Sequence, residues 1–494
     1  MTTQQAPNNR VLISTIEPIS GGVPTMTRFI VDLLVDRGLT PVLAHYEPYS
    51  RTPELSVPSF KLGRGRPGAE RRLTWGDIET HAIGAWLPEL EFTHYWPTAP
   101  WRDLMASCAA HVAVSGNVLP ATPYLRTGRP YVAWVATGWD EDRHDRTAAF
   151  PWPRKLLDRH INAPVIRHLE SRLLRAGSTG PGTVTSTSPS TGNTGTATSL
   201  RTGPNTGTAT SLRTGPNTGN TSTATNTGRT ATGSTLQTPA PQPLPTVLAL
   251  SAHTRRVLET LAGGWPIAGI LPMPVATDYF SPRQDTVVPG RIGFSGRLED
   301  PRKNIGLLLE AMALANQGGA NLSALLIGGP ATPEITQCLQ ALGLQGQVDI
   351  TPYVPREQLR DYLRTLDVFV VPSHQEGLCI AALEAMACGC PVVATPCGGP
   401  EEFVIAGETG QRVDFDPADL AQALTAIVRD RERRQRLAAG ARRRIEQHYH
   451  RTRAASIFWH AFDTTFPALS SHHAPPSPHA GEGRGEGGNQ PGPV

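Results

Sequence analysis

The chain is constrained most by a rhythm in its C-terminal half, where short unbroken apolar runs alternate with longer runs that are apolar at helical spacing. The short runs are IGFSG (Ile292–Gly296), ALLIGG (Ala324–Gly329), DVFVVPS (Asp367–Ser373) and PVVAT (Pro391–Thr395); IGLLLEAMALA and AALEAMACG are two of the longer ones. Strands that are apolar throughout are buried on both faces, and helices between them make parallel crossovers. The first part of the chain repeats the rhythm. VLIST (Val11–Thr15) is followed by Gly21-Gly22, then by Met26, Phe29, Ile30, Leu33 and Leu34 on one helical face, then by PVLAHY (Pro41–Tyr46). HVAVSG (His111–Gly116), PYVAWVAT (Pro130–Thr137) and TVLALS (Thr246–Ser251) read as further strands. The expected fold class is α/β: two parallel-sheet blocks joined near Pro272–Gly290, with ligand at the strand C-termini between them.

Composition marks where that rhythm breaks. Gly and Pro number 48 and 46 of 494 residues, well above the roughly 12% of an average chain. Part of the excess lies in Ser178–Pro245, which has no aromatic, no acid and only Arg201, Arg213 and Arg229 as charges; TGTATSLRTGPN occurs there twice in tandem. With so little apolar area to offset the entropy of ordering, the segment is expected to be a disordered insert. A helix, HLESRLLRAG (His168–Gly177), precedes it and a strand follows, so it reads as an elongated surface loop within one α/β block. Residues 470–494 read as a disordered tail. The formal net charge of +3 is matched by the insert's three arginines, so the rest is close to neutral and no nucleic-acid partner is expected. MTTQQAPNNR lacks the layout of a signal peptide and the six Cys form no disulfide framework, which suits a cytoplasmic chain with reduced thiols.

Two motifs carry chemistry. In EGLCIAALEAMACGCPVVATPCGG (Glu376–Gly399), two carboxylates, Glu376 and Glu384, stand eight apart. Gly377 lets backbone approach a ligand closely, and a helix expected to begin near Ile380 aims its N-terminal amides at the same loop. In SGRLEDPRKN (Ser295–Asn304), Arg297 follows a strand and Lys303 lies at a helix start. A planar guanidinium fork and a point charge can together clamp a diphosphate. Read separately, either motif is also compatible with solvated surface charges. Their occurrence in one α/β block, each just after a strand, favours a binding site. Cys388-x-Cys390 with His374 upstream reads as core packing, and no metal ligand set is expected.

The order GR-x5-K, EG-x6-E, AMACGCPVVAT and GGPEE resembles the retaining glycosyltransferases of family 4, as do Gly21-Gly22, PMPVATDYFSP (Pro272–Pro282) and the last helix, TRAASIFWHAF (Thr452–Phe462). The resemblance implies a GT-B fold: two Rossmann-like parallel-sheet domains facing a central cleft, with the disordered insert in the N-terminal domain. It divides the chain into an acceptor-side domain (residues 1–177), the insert (178–245), the end of that domain with the linker (246–285), a nucleotide-sugar-binding domain (286–448), a helix crossing back (449–469) and the tail. It implies transfer of a sugar, with retention, from a nucleotide-sugar co-substrate to an unidentified acceptor, without a metal or other cofactor. Arg297 and Lys303 would hold the donor diphosphate, and Glu376 would contact the sugar. Leu378, Cys379 and Ile380, after Gly377, would offer amides to the sugar hydroxyls. Glu384 would hold the ribose, and Gly21 and Gly22 would let backbone approach the phosphates. Many relatives place a His after the strand matching PYVAWVAT. Here the residues are Ala136-Thr137-Gly138-Trp139-Asp140, leaving Asp140 or His144 as acceptor-side candidates.

The run Arg154–Arg175 is basic with interspersed leucines and isoleucines, and Lys61–Arg72 is a basic loop. The first pattern fits either a core-facing helix with a solvated basic face or a surface resting peripherally on anionic membrane. Two other functions fit less of the sequence. A catalytically inactive sugar-nucleotide-binding protein of the same fold would explain the missing His. A nicotinamide dehydrogenase is disfavoured because no G-x-G-x-x-G follows the first strand.

Overall fold

A computed structural model describes residues 9–17, 21–141, 151–177, 244–283 and 286–470. The tail beyond Ser470, all but the last two residues of the insert, and His144 lie outside them.

Two sheets organise the chain. The first has eight strands: β1 (Arg10–Thr15), β2 (Thr40–Tyr46), β3 (Ala69–Thr74), β4 (Ile78–Ile83), β5 (Ala110–Ser115), β6 (Val132–Val135), β7 (Thr246–Ala249) and β8 (Gly269–Ile270), in the order β3-β4-β2-β1-β5-β6-β7-β8. The second has six: β9 (Arg291–Ser295), β10 (Ser323–Ile327), β11 (Val348–Thr351), β12 (Val368–Val371), β13 (Val392–Ala394) and β14 (Gly410–Arg412), in the order β11-β10-β9-β12-β13-β14. All pairings are parallel except β3 with β4. The continuous apolar runs are explained by burial on both faces. Val11 and Ile13 of β1 enter one core and Leu12 the opposite one, while Phe369 and Val371 of β12 face away from Val368 and Val370.

Part of the basic segment read as a loop, from Ala69 onward, is an edge strand instead. Among the described residues its one hydrogen-bonded neighbour strand is β4. AERRLT favours a helix by intrinsic propensity, but its partners hold it as a strand: it pairs with β4, Arg71 reaches Glu79 at 3.2 Å and Arg72 reaches Glu47 at 3.1 Å. Charged side chains on an edge also discourage pairing with another chain.

The excursion of residues 178–245 begins and ends at one place. A Cβ on Gly177, which ends the helix Ala163–Ala176, would fall 2.4 Å from a methyl of Val247 in β7. The chain thus leaves and rejoins the domain beside β6 and β7 without displacing either strand.

The helix Arg451–Thr465 returns to the first sheet's domain. Arg37 makes a two-pronged pair with Asp463 (2.7 and 3.0 Å), Thr246 bonds Thr465 at 2.9 Å, and the Arg37 guanidinium lies 4.1 Å over the Trp459 ring. Arg442 ties the linker to the second domain by donating to the carbonyls of Thr277, Phe280 and Ala387 at 2.7–3.0 Å. No described helix is long and apolar enough to cross a membrane.

Candidate active site

The cleft is assembled from loops at the C-terminal ends of β9, β12, β13 and β6. After β9, Asp300 caps a single turn, Pro301–Lys303, by accepting from the Arg302 amide at 3.1 Å. Asn304 then adopts a left-handed conformation (φ 50°) and starts the helix Ile305–Gln317. This turn points Lys303 inward, and its side chain is only 16% exposed. After β12, the Glu376 amide donates to the Cys397 carbonyl at 2.7 Å, and the Gly399 amide donates to the Glu376 carbonyl at 2.9 Å. The Glu376 backbone is therefore held by the loop after β13.

Three side chains converge there. Lys303 Nζ donates to Glu376 Oε1 at 2.7 Å, and Ser373 Oγ donates to the same oxygen at 2.7 Å. Burial pushes the Lys303 pKa down, but the Glu376 carboxylate outweighs it and the net shift is upward, so the lysine stays cationic. Arg297 lies further out, half-exposed, with Nη2 at 3.1 Å from Asp300. Burial raises the Asp300 pKa, but the Arg302 and Arg297 guanidiniums together hold it at about 2.

Two glycines work here by close approach. A Cβ on Gly399 would lie 2.2 Å from the Gly377 carbonyl oxygen, so the two loops stack backbone on backbone. A Cβ on Gly377 would lie 2.6 Å from the Ala136 carbonyl oxygen, which belongs to the segment after β6 in the other domain. The two domains meet at this glycine. Gly22 faces the same region, its Cβ position 3.8 Å from Ile380 Cδ1, and Gly21 takes φ 108°. Leu378 is buried, and Cys379 (φ 63°) precedes the helix Ile380–Ala387. In the first turn of that helix the Ala382 and Leu383 amides donate to the Cys379 carbonyl at 3.1 and 3.4 Å. Burial drives the Cys379 thiol well above its ordinary pKa, so it remains protonated. Glu384, on this helix, is pushed up to about 7 by burial, with Arg356 pulling weakly the other way.

The segment after β6 departs from its sequence reading. Asp140 forms an exposed two-pronged pair with Arg167 at 2.7 and 3.1 Å. Thr137 and Glu141 are the residues that face the second domain. Gln375 Nε2 donates to Thr137 Oγ1 at 3.3 Å, Thr137 donates to Glu141 Oε2 at 2.8 Å, and His253 Nε2 lies 3.4 Å from Glu141 Oε1. Arg302 Nη1 reaches Gln375 Oε1 at 3.4 Å. A polar chain thus crosses the cleft from Arg302 to His253. The His253 ring also occupies the space where a side chain on Gly398 would sit, 2.9 Å from that Cβ position. Sequence reasoning missed Ser373, Gln375, Thr137, Glu141 and His253. Ser373 and Gln375 flank the recognised motif, whereas the others join it only through folding.

Residues 288–444 match the family Glycosyl transferases group 1. A D-inositol 3-phosphate glycosyltransferase of Thermomonospora curvata is 36% identical over 222 residues, which is 40% of this chain and 51% of that protein. The chain thus spans about half the length of this curated relative. Sucrose-phosphate synthase of Thermosynechococcus elongatus superposes with a TM-score of 0.61 at 17% identity, covering 93% of this chain and 99% of that one. Anabaena HepE, solved with UDP and glucose, superposes at 0.58 with 14% identity, covering 94% and 99%. These likenesses in architecture are those of the GT-B fold.

Proposed function

We propose that this chain, whose residues 288–444 match the group 1 glycosyl transferases, moves a glycosyl group from a nucleotide-sugar donor to a hydroxyl acceptor with retention of configuration. The observation that carries this reading is the buried Lys303–Glu376–Ser373 cluster at the ends of β9 and β12, directly below the Gly377–Ala136 contact. Cleaving a sugar–diphosphate bond puts negative charge on phosphate and positive charge on the sugar. A cation pair, Lys303 and Arg297, answers the first, and the Glu376 carboxylate answers the second. A diphosphate arriving at Lys303 competes for the ammonium that Glu376 holds in the unliganded protein. HepE's complexes with UDP and glucose support uridine diphosphate-linked sugars as the first donors to test.

Glu384 is assigned the ribose hydroxyls. An ionised carboxylate accepts hydrogen bonds from both, whereas a protonated one does so less well. Its pKa of about 7 sets the sign. Nucleotide affinity is expected to rise as pH increases from about 6 to 8, and Glu384→Gln flattens that rise. Folding stability runs the other way. The native state holds a proton that the unfolded chain releases near its lower ordinary pKa, so this contribution is lost as pH rises through about 7. Titration calorimetry with UDP at several pH values checks the first sign, and an equally steep profile in Glu384→Gln would remove Glu384 from the site.

Peripheral contact with anionic membrane is part of the same reading. Trp152, Leu156, Ile161 and Val165 are exposed (74%, 49%, 44% and 38%) on the helical run that carries Arg154, Lys155 and Arg159.

A further inference from the structure

A second concavity lies outside the cleft, against the helices of the N-terminal domain. It is a hollow of about 360 Å³ between the segment before the helix Ala99–Ser107, the helix Thr122–Arg126 and the helix Ala163–Ala176. Arg102, Arg126 and Arg172 come to it from these three helices, with Trp96 and Leu169 as apolar wall. No acid lines it, and it shares no residue with the cluster around Glu376.

Like charges do not gather in one concavity without cost. Arg126 is exposed, and partial burial and then the Arg172 charge pull its pKa down, so its guanidinium is repelled by a like-charged neighbour. Several cationic side chains elsewhere on this domain have acids: Arg28 has Asp32, Arg72 has Glu47 and Glu70, and Arg167 has Asp140. Among the described residues none of Arg102, Arg126 and Arg172 has an ion pair. Arg126 is also orientated, its guanidinium lying 3.6 Å from the Trp96 ring centroid. Stacking fixes the plane of the fork while leaving its N–H groups free to donate. Three convergent forks, one of them pre-aligned, suit a tetrahedral dianion with several acceptor oxygens better than a single carboxylate.

We propose that this hollow binds a phosphoryl group. The volume admits the phosphate together with part of whatever carries it. Two carriers present this chemistry. One is a small phosphorylated molecule or phosphate itself. The other is the phosphate of a lipid headgroup, reached along Ile161 and Val165, which are exposed four residues apart on the helical run that continues through Arg172.

The test compares wild type with Arg126→Gln/Arg172→Gln and with Lys303→Ala as a cleft control, after thermal melting shows that both variants are folded at the assay temperature. Inorganic phosphate is titrated by calorimetry, and sedimentation is measured with phosphatidylglycerol and with phosphatidylcholine vesicles. The site requires that binding of at least one probe weaken about tenfold or more in the double variant and persist in Lys303→Ala. Loss of phosphate binding assigns the soluble carrier. Loss of phosphatidylglycerol sedimentation alone, with phosphatidylcholine inert throughout, assigns the lipid. Binding of neither probe to wild type, or equal binding by the double variant, overturns the proposal. Weakened phosphate binding in Lys303→Ala alone would return the anion to the cleft and likewise overturn it.

Discussion

Lys303→Ala is expected to lower glycosyl transfer by about 10²–10³-fold, the range found when a preorganised charge is removed from a developing anion. The structure makes this variant more than a charge deletion. Lys303 Nζ sits 2.7 Å from Glu376 Oε1, and the two side chains are 16% and 10% exposed. Removing the lysine alone leaves a poorly solvated carboxylate without its counter-charge, at a cost of about 3–5 kcal/mol of stability. A partly unfolded enzyme would then imitate a chemical defect. Lys303→Ala/Glu376→Gln separates the two effects. It carries no unpaired charge, so most of the melting temperature returns, while transfer stays at the level of the single variant. Lys303→Arg keeps a charge but replaces the compact ammonium by a wider fork, so its activity falls between wild type and Lys303→Ala. Activity that recovers with melting temperature in the double variant would make the pair structural.

Gly377→Ala is expected to lower transfer by about 10²-fold, through domain approach and without loss of any charged group. A Cβ at this position meets the Ala136 carbonyl at 2.6 Å, and that oxygen already accepts from Thr254 Oγ1 at 2.7 Å. Ala136 is thus tethered within its own domain and cannot simply swing away. The strain is relieved by separating the domains by several tenths of an ångström, which lengthens the Gln375–Thr137 bond, already 3.3 Å. Chemistry that needs groups from both domains suffers, whereas nucleotide binding, which rests on the second domain, changes little. Kinetics would show kcat falling with the Kd for nucleotide nearly unchanged. Equal loss of nucleotide binding would mean that the glycine serves the donor loop and not the domain contact.

The architecture was legible because its strands are buried on both faces. VFVV in β12 and VLI in β1 have no polar side to confuse the period, and the helix expected near Ile380 begins there. β3 was not legible, because AERRLT owes its conformation to partners in other segments, Glu79 on β4 and Glu47. In the site, the Lys303 and Glu376 motifs could be read as neighbours of strands, and the structure brings their side chains into contact. The crossing from Gln375 to Thr137 spans 238 residues and appears in no local pattern. The same holds for His253, which contacts Glu141 and the backbone at Gly398 only once β6, β7 and β13 have been arranged. The pKa of Glu384 at about 7 is a product of burial, which spacing does not encode.

The central claim is that this cleft breaks the bond between a sugar and a nucleoside diphosphate. The most direct measurement is nuclear magnetic resonance of the wild-type protein incubated with a panel of sugar nucleotides, following release of nucleoside diphosphate and the anomeric form of the sugar first set free. The account predicts release from at least one donor, with the configuration of the donor retained. Saturable binding of those donors without bond cleavage, or release with inverted configuration, would contradict it.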